Sequence, residues 1–381
     1  MKVVVCSEVQ WRYVRTRKQQ LLGRFPRDWP ILFLQSYVRG RPNEWRPQRD
    51  GSVTWVTVPA FKSIPNPILR RLLDLGAVRA VANAVLALWV WWVRAVTGFG
   101  GRDVGVYVSN IFYGRILGTM RRRVAIYDCN DNHLAFPGTP DWARGYLGRI
   151  VREVDAVVVS APLLREVVDP HGPRRVLEIG NGVDFELFDA AWRAPRRPPE
   201  IASLTRPRIG YAGALAEWID LELLAATARA FPEATLVLVG PAVGPGVRPA
   251  EFFAGVPNVH WLGSKPHEDL PHWVAEMDVC LIPFRLTPLT RGVNPNKLYE
   301  YLALGKPVVA TDFSPFIHEF GELVRTGSTP QEFIREVAAA LASPPEAEAR
   351  RECARRHAWG ASAAQLVRLF EDLAASPRGG S

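Results

Sequence analysis

The residues with most to offer chemically lie in one tract, Asn294-Pro295-Asn296-Lys297-Leu298-Tyr299-Glu300, which runs on through Gly305 into Lys306-Pro307-Val308-Val309. Asn is a good helix cap and Pro suits the first helical position, so the tract predicts a short helix opening at Asn294 and Pro295, stopped at Gly305 and followed by a strand. The amides of Asn296, Lys297 and Leu298 would then have no intrahelical acceptor and would face whatever precedes the helix. Phosphate is the natural guest of such amides. Lys297 brings a full positive charge to the same place, and Glu300, within a turn of it, can accept hydrogen bonds from ribose hydroxyls. Together these residues read as a nucleotide-sugar site.

A phosphate site of this kind needs parallel strands to hold it, and apolar runs of strand length alternate with helical patterns in both halves of the chain. In the first half the expected strands are 3–6, 31–35, 53–58, 105–109, 124–128, 156–159 and 176–179. In the second they are 209–212, 235–239, 260–262, 279–282 and 307–310, with helices near 220–231, 268–276 and 331–342. The pattern predicts an α/β protein of two doubly wound, Rossmann-like domains. Pro and Arg residues in Ala194-Pro195-Arg196-Arg197-Pro198-Pro199-Glu200 suit an exposed connector. The expected division is 1–193, a linker at 194–205, a second domain at 206–355 and a C-terminal segment at 356–381.

A length of 381 residues suits two domains, each large enough for its own core. Cys6, Cys129, Cys280 and Cys353 are far apart, with no C-x-x-C pair, which argues against a zinc cluster or disulfide scaffold. A reducing, cytoplasmic compartment is the expectation. The opening Met1 to Ser7 run is too short, and too soon interrupted by Glu8, for a signal peptide. Residues 1–197 hold 30 Lys and Arg against 17 Asp and Glu, a balance of +13, and the remainder balances at −4. That field favours a polyanionic or anionic-membrane partner. The basic runs Arg15-Thr16-Arg17-Lys18 and Arg121-Arg122-Arg123 carry no helix-turn-helix, zinc-finger or RNA-binding signature, so nucleic acid is not expected.

Ala80 to Val93 is an uncharged run bounded by Arg79 and Arg94 and holding Trp89, Trp91 and Trp92. At 14 residues it is too short to span a bilayer. It predicts either a helix buried in the first domain or an interfacial helix with Trp and Arg at headgroup level, peripheral to the inner face of the plasma membrane.

The chain resembles retaining glycosyltransferases of the family 4 type, which have the two-domain GT-B architecture, and among them bacterial cell-surface polysaccharide enzymes of the teichuronic acid kind. The resemblance rests on Ile209-Gly210-Tyr211-Ala212-Gly213-Ala214, Leu238-Val239-Gly240-Pro241, Leu262-Gly263-Ser264-Lys265-Pro266, Asp278-Val279-Cys280-Leu281-Ile282-Pro283 and the tract from Asn294, in that order over about 100 residues. Looser matches are Arg17 to Leu21, Tyr127-Asp128 with Asp131 and His133, Gly180-Asn181-Gly182-Val183-Asp184, and His357-Ala358-Trp359.

The resemblance implies two domains facing each other across a cleft, with the nucleotide sugar on the second domain and the acceptor on the first. It implies a donor set of Gly213, Lys265, Pro266, Arg291, Asn294, Asn296, Lys297, Leu298, Tyr299 and Glu300, in which Lys265 and Pro266 hold the nucleobase through backbone contacts. His133 and Asp131 are the expected first-domain catalytic residues beside Lys297, with Arg17 and Asp128 as acceptor or cleft contacts. No metal and no cofactor beyond the nucleoside-diphosphate sugar is implied, since the leaving phosphate helps take the acceptor proton. The acceptor would be lipid-linked or a polyanionic glycan. Two departures from the pattern stand out: Gly292 replaces a Glu eight positions before Glu300, and Ala214-Leu215-Ala216-Glu217-Trp218 replaces an Arg/Lys pair after Gly213. They keep open a non-catalytic nucleotide-sugar or polysaccharide binder and, within enzymes, a nucleotide-sugar epimerase.

Overall fold

A computed structural model of the chain describes residues 1–12, 15–61, 66–244, 246–342 and 347–376. The chain divides into two units, Met1–Gly180 together with the residues from Ala363 onward, and Asn181–Ser362. The changeover at Gly180 and Asn181 falls ahead of the Pro-rich stretch expected to be the linker. The helix Phe185–Arg193 explains the difference, because Phe185 and Phe188 are buried in the second unit's core. Arg197 and Arg206 are then tied to that unit by ion pairs with Glu276 at 3.1 Å each.

Among the described residues the first unit holds eight strands: β1 (Lys2–Ser7), β2 (Ile31–Tyr37), β3 (Gln48–Asp50), β4 (Val53–Phe61), β5 (Val104–Val108), β6 (Val124–Cys129), β7 (Ala156–Val159) and β8 (Val176–Glu178). Their order is β3-β4-β2-β1-β5-β6-β7-β8, all parallel except the β3–β4 pair. The central strands are β-branched runs with both faces covered, so they read as continuous apolar stretches rather than alternating ones. Val4 and Val106 are fully buried between the helical layers. β3 was not expected from sequence: Gln48-Arg49-Asp50 is wholly exposed and polar, which suits an edge strand but leaves no apolar signal.

The second unit holds β9 (Arg208–Ala212), β10 (Thr235–Val239), β11 (Val259–Trp261), β12 (Val279–Ile282), β13 (Val308–Thr311) and β14 (Val324–Gly327), in the all-parallel order β11-β10-β9-β12-β13-β14. β14 was missed for a similar reason, since Arg325 and Thr326 interrupt a short, half-buried edge strand. In both sheets the strand order reverses once, between β1 and β5 and between β9 and β12. At such a reversal the connections leave to opposite sides, and a crevice opens outside the strand carboxyl ends.

The apolar Trp-rich run is part of a longer helix, Gly76–Val96, whose 21 residues are enough to cross a membrane by length and composition. The expectation of a buried core helix does not hold. Leu86, Val90 and Val93 face the core, but Leu88 and Trp91 are 67% and 68% exposed, and Val81, Val85, Trp92 and Val96 are exposed beside them. The preceding helix Pro67–Asp74 adds exposed Ile68 and Leu72, and the loop after it Leu75. An open groove of about 530 Å³ on this face is lined by Val85, Leu88, Trp89 and Trp92. Trp45 packs edge-on to Trp89 at 5.9 Å and stacks on Tyr37 at 6.1 Å, which extends the apolar area.

Candidate active site

In the second unit the helix Asn296–Ala303 sends Tyr301 and Lys297 to the end of β9, at the β9–β12 reversal. The Tyr301 hydroxyl accepts from the Ala212 amide at 2.8 Å and lies 3.2 Å from the Ala212 carbonyl, fixing the end of β9. The next residue, Gly213, has φ +144°, and its amide donates to Val239 at 2.8 Å. A Cβ at Gly213 would stand 2.9 Å from Lys297 Cε and 3.3 Å from Nζ. Only the missing side chain lets the lysine lie along the backbone here. Gly213→Ala is therefore expected to destabilise the fold by about 1–3 kcal/mol and to weaken nucleotide binding, checked by thermal melting with and without nucleotide.

The helix starts one residue later than the sequence predicts. Pro295 occupies the cap position in an extended conformation, Asn296 is the first helical residue, and Asn294 does not cap. The Asn294 carbonyl instead accepts from Asn181 Nδ2 at 2.6 Å, so the loop is held from the side by a residue over a hundred positions away. The Leu298 amide donates to the Pro295 carbonyl at 3.1 Å and is thus withdrawn from any ligand. Asn296 and Lys297 remain as the amides of the open first turn. The side chains of Leu298 and Tyr299 are buried, the latter stacked on His357 at 4.9 Å.

Lys297 Nζ lies over the rings of Phe284 at 4.9 Å and Tyr211 at 5.3 Å. Among the described residues no carboxylate reaches it at salt-bridge distance. Burial pushes its ammonium below the ordinary lysine range, with Glu300 opposing, and burial pushes the Glu300 carboxyl above the ordinary carboxylate range, with Lys297 opposing. A cation held by two aromatic faces and by no fixed anion is suited to receive a phosphate.

The remaining expected donor residues are spread along the same sheet edge. Lys265 follows β11, with its Nζ 4.1 Å above the Trp273 ring and 3.2 Å from Glu200, so its side chain is engaged within the protein. The Pro266 carbonyl is taken by the amides of Asp269 and Leu270, both at 3.1 Å. Arg291 ends the turn of helix Pro288–Arg291 and is exposed, lining an open pocket of about 460 Å³ with Thr287, Asp312, Ser314 and His318. Lys297 takes no part in that pocket.

In the first unit the structure pairs Arg17 and Asp128 with each other. Arg17 Nε donates to both carboxylate oxygens at 3.0 and 3.1 Å, and its other nitrogens donate to the Ile179 and Gly180 carbonyls at 2.8 and 2.9 Å. Tyr107 donates to the same carboxylate. Both partners are buried, and Asp128 is fully so. Asp131 accepts from Asn130 Nδ2 at 3.0 Å. His133 follows in the same loop, its Nε2 buried without a hydrogen-bond partner, and burial foremost holds its imidazole down to about 4. Among the described residues no group of three or more His, Cys, Asp or Glu gathers as metal ligands.

Sequence reasoning missed Glu8, Lys18 and Ser109 at the β1–β5 reversal, and Tyr107, Asn181, Phe284 and Tyr301. Glu8 offered a signal, as an acid directly after the Val-rich strand β1. The partners of Asn181 and Tyr301 lie 113 and 89 residues away, and nothing local marks them.

Residues 206–343, the second unit with its crevice, match the family of group 1 glycosyl transferases. TuaH of Bacillus subtilis (strain 168), a candidate teichuronic acid biosynthesis glycosyltransferase, is 29% identical over 237 residues. The match covers 58% of this chain and 57% of that relative, so the chain spans little more than half its length. Sucrose-phosphate synthase from Thermosynechococcus elongatus superposes with a TM-score of 0.75 at 17% identity, covering 98% of this chain and 100% of that one. Anabaena HepE in complex with UDP and glucose superposes with a TM-score of 0.66 at 16% identity, covering 98% and 100%. The fold is GT-B, with two Rossmann-like units.

Proposed function

We propose that the protein is a retaining glycosyltransferase that moves a hexose-type sugar from a nucleoside-diphosphate sugar to a lipid-linked or polysaccharide acceptor in bacterial cell-surface glycan synthesis. The observation that carries this reading is Lys297, an ammonium with no carboxylate at salt-bridge distance among the described residues, laid against Gly213 at the β9–β12 reversal beside an open helix start. The diphosphate lies there, the base meets the backbone near Lys265, and Glu300 receives the ribose. UDP in the HepE complex makes a uridine nucleotide the first donor to try.

In the reaction the bond from the anomeric carbon to the leaving phosphate oxygen breaks. A bond to an acceptor hydroxyl forms on the same face of the sugar, and the hydroxyl proton passes to the leaving phosphate. Fixed donors aimed at the charge that builds on the diphosphate lower the barrier most when they need not reorganise. Lys297 and the amides of Asn296 and Lys297 supply them without a resident metal. His133 and Asp131 serve the acceptor side, while the buried Arg17–Asp128 pair braces the loop that carries them.

The acceptor reading draws on the exposed face of the helix Gly76–Val96. Its outward residues are apolar, Arg70 and Arg71 stand exposed on the neighbouring helix, and the first half of the chain carries the excess positive charge. An anionic bilayer surface matches both features, with Trp91 and Trp92 at headgroup level. The enzyme then works peripherally at the cytoplasmic face, where a lipid-linked acceptor is met.

A thermal-shift series with UDP, other nucleoside diphosphates and their sugars tests the donor reading. A ligand at a hundred times its Kd is expected to add about 2.7 kcal/mol of apparent stability, and no shift with any of them removes the proposal.

A further inference from the structure

In the loop that follows β6, the backbone is fully engaged and the side chains are not. Every carbonyl from Asn130 to His133 has a donor. Ser160 Oγ donates to Asn130 at 3.0 Å, the His133 amide closes a turn on Asp131 at 2.9 Å, the Ala135 amide donates to Asn132 at 2.9 Å, and Thr139 Oγ1 donates to His133 at 3.1 Å. By contrast, Asn130 Oδ1, Asn132 Oδ1 and His133 Nε2 are covered from solvent and have no hydrogen-bond partner. Folded proteins leave roughly a few such atoms per hundred residues, so three of them within residues 130–133 call for a ligand-based explanation. Asn296 Oδ1, at the helix start assigned to the donor, is in the same condition.

The chemistry of these atoms selects among ligands. Asn130 Nδ2 donates to Asp131 Oδ2 at 3.0 Å, which fixes that amide with Oδ1 as its open atom. Two amide oxygens beside the Asp131 carboxylate require a ligand that donates hydrogen bonds. A hydroxyl does so, and it can also meet the neutral His133 imidazole as donor or acceptor. A phosphate at neutral pH only accepts, and it would need a cation. Arg17, paired at 3.0 Å with Asp128 just before the loop, and its neighbour Lys18, bonded to Glu8, are already neutralised. The other Glu8 oxygen accepts from Ser109 Oγ at 2.8 Å. Resting on the reading above, we infer that Asn130, Asn132 and His133 form the acceptor subsite and that it takes the hydroxyls of a sugar rather than a phosphate. The enzyme then lengthens a glycan already begun, and a separate reaction must first attach a sugar to the carrier.

The test uses the full-length protein and two sets of probes that share one short alkyl chain: alkyl glycosides of hexoses and N-acetylhexosamines, and the alkyl phosphate and pyrophosphate. Binding is read at the site by NMR of labelled histidine ring nitrogens, with the His133 signal assigned by its loss in His133→Asn. At least one glycoside is expected to move that signal, and neither phosphate should. Asn132→Leu removes one open acceptor at similar volume and should weaken that glycoside about tenfold, with UDP affinity unchanged. Its melting temperature should stay level or rise, because an apolar group replaces a covered oxygen that has no partner, whereas loss of a residue kept for structure would lower it. In transfer, the variant should raise KM for the acceptor about tenfold and leave KM for the donor alone. The inference is overturned if no glycoside moves His133, if a phosphate moves it as far, if Asn132→Leu leaves glycoside affinity intact, or if that variant melts lower. The binding measurements need no donor, so a protein that binds no nucleotide would sink the functional proposal while this inference stands or falls separately.

Discussion

Replacing Lys297 with Ala is expected to lower kcat/KM by about a hundred- to a thousandfold, through kcat more than through KM, while the protein remains folded. Among the described residues no carboxylate lies at salt-bridge distance from the lysine, whose Nζ sits over Phe284 and Tyr211, and Arg291 lines a different pocket. The positions after Gly213 that would otherwise hold positive charge are Ala214 to Trp218. Loss of the ammonium leaves the leaving diphosphate with helix amides only. Removal of a half-buried lysine that has no carboxylate partner strands no opposite charge at salt-bridge distance, so the effect should appear in rate rather than in melting temperature. Unchanged turnover in this variant would show that the charge is met elsewhere.

The same residue gives nucleotide affinity a pH dependence. Its ammonium is held below the ordinary lysine range by burial, whereas a bound diphosphate favours the charged form. Binding therefore draws in a proton once the pH exceeds the depressed value, and affinity for UDP is expected to fall as pH rises from neutrality toward the ordinary lysine range. Calorimetry in buffers of different ionisation enthalpy measures the proton uptake. In Lys297→Met both the uptake and that part of the slope should vanish.

The second large effect concerns the helix Gly76–Val96. The double variant Leu88→Glu with Trp91→Glu is expected to reduce partition onto anionic vesicles by about a hundredfold, given that burying a large apolar side chain contributes about 1.5–3 kcal/mol and each 1.4 kcal/mol is about tenfold. Both side chains point away from the core, so thermal stability and turnover of a soluble acceptor analogue should be unaffected. Raising ionic strength should weaken the wild-type association through the exposed arginines. A variant that sediments with vesicles as well as the wild type would refute a membrane role for this face.

Much of the fold was legible because its signals are local. Val3-Val4-Val5-Cys6 and Val279-Cys280-Leu281-Ile282 are strands by composition alone, and the structure places strands at both. Gly213 was legible as a glycine ending a strand, where a residue without Cβ leaves the backbone open to a diphosphate, but that Lys297 packs against it was not. The frame of the helix start was not, since Asn294 and Pro295 satisfy the sequence rule for a cap, and a hydrogen bond from Asn181 decides the actual register. Arg17, at a helix start, and Asp128, on β6, were legible as charged residues of interest, but not as each other's partners, for 111 residues separate them. The exposed face of the Trp-rich helix could not be read either, because a helix apolar all round gives no indication of which side meets the sheet.

The sequence by itself therefore determined two doubly wound units, the strand ends from which function must come, and the residue types available there, because β-branched runs, glycines and prolines act on their own backbone. Tertiary structure decided which charges are neutralised and which stay open. It matched Asp128 with Arg17 and Glu8 with Lys18, left Lys297 between two aromatic rings, and turned one side of an apolar helix outward. Those outcomes depend on distances between residues far apart in the chain, and in a buried setting such distances decide whether a charge serves the scaffold or remains available to a ligand.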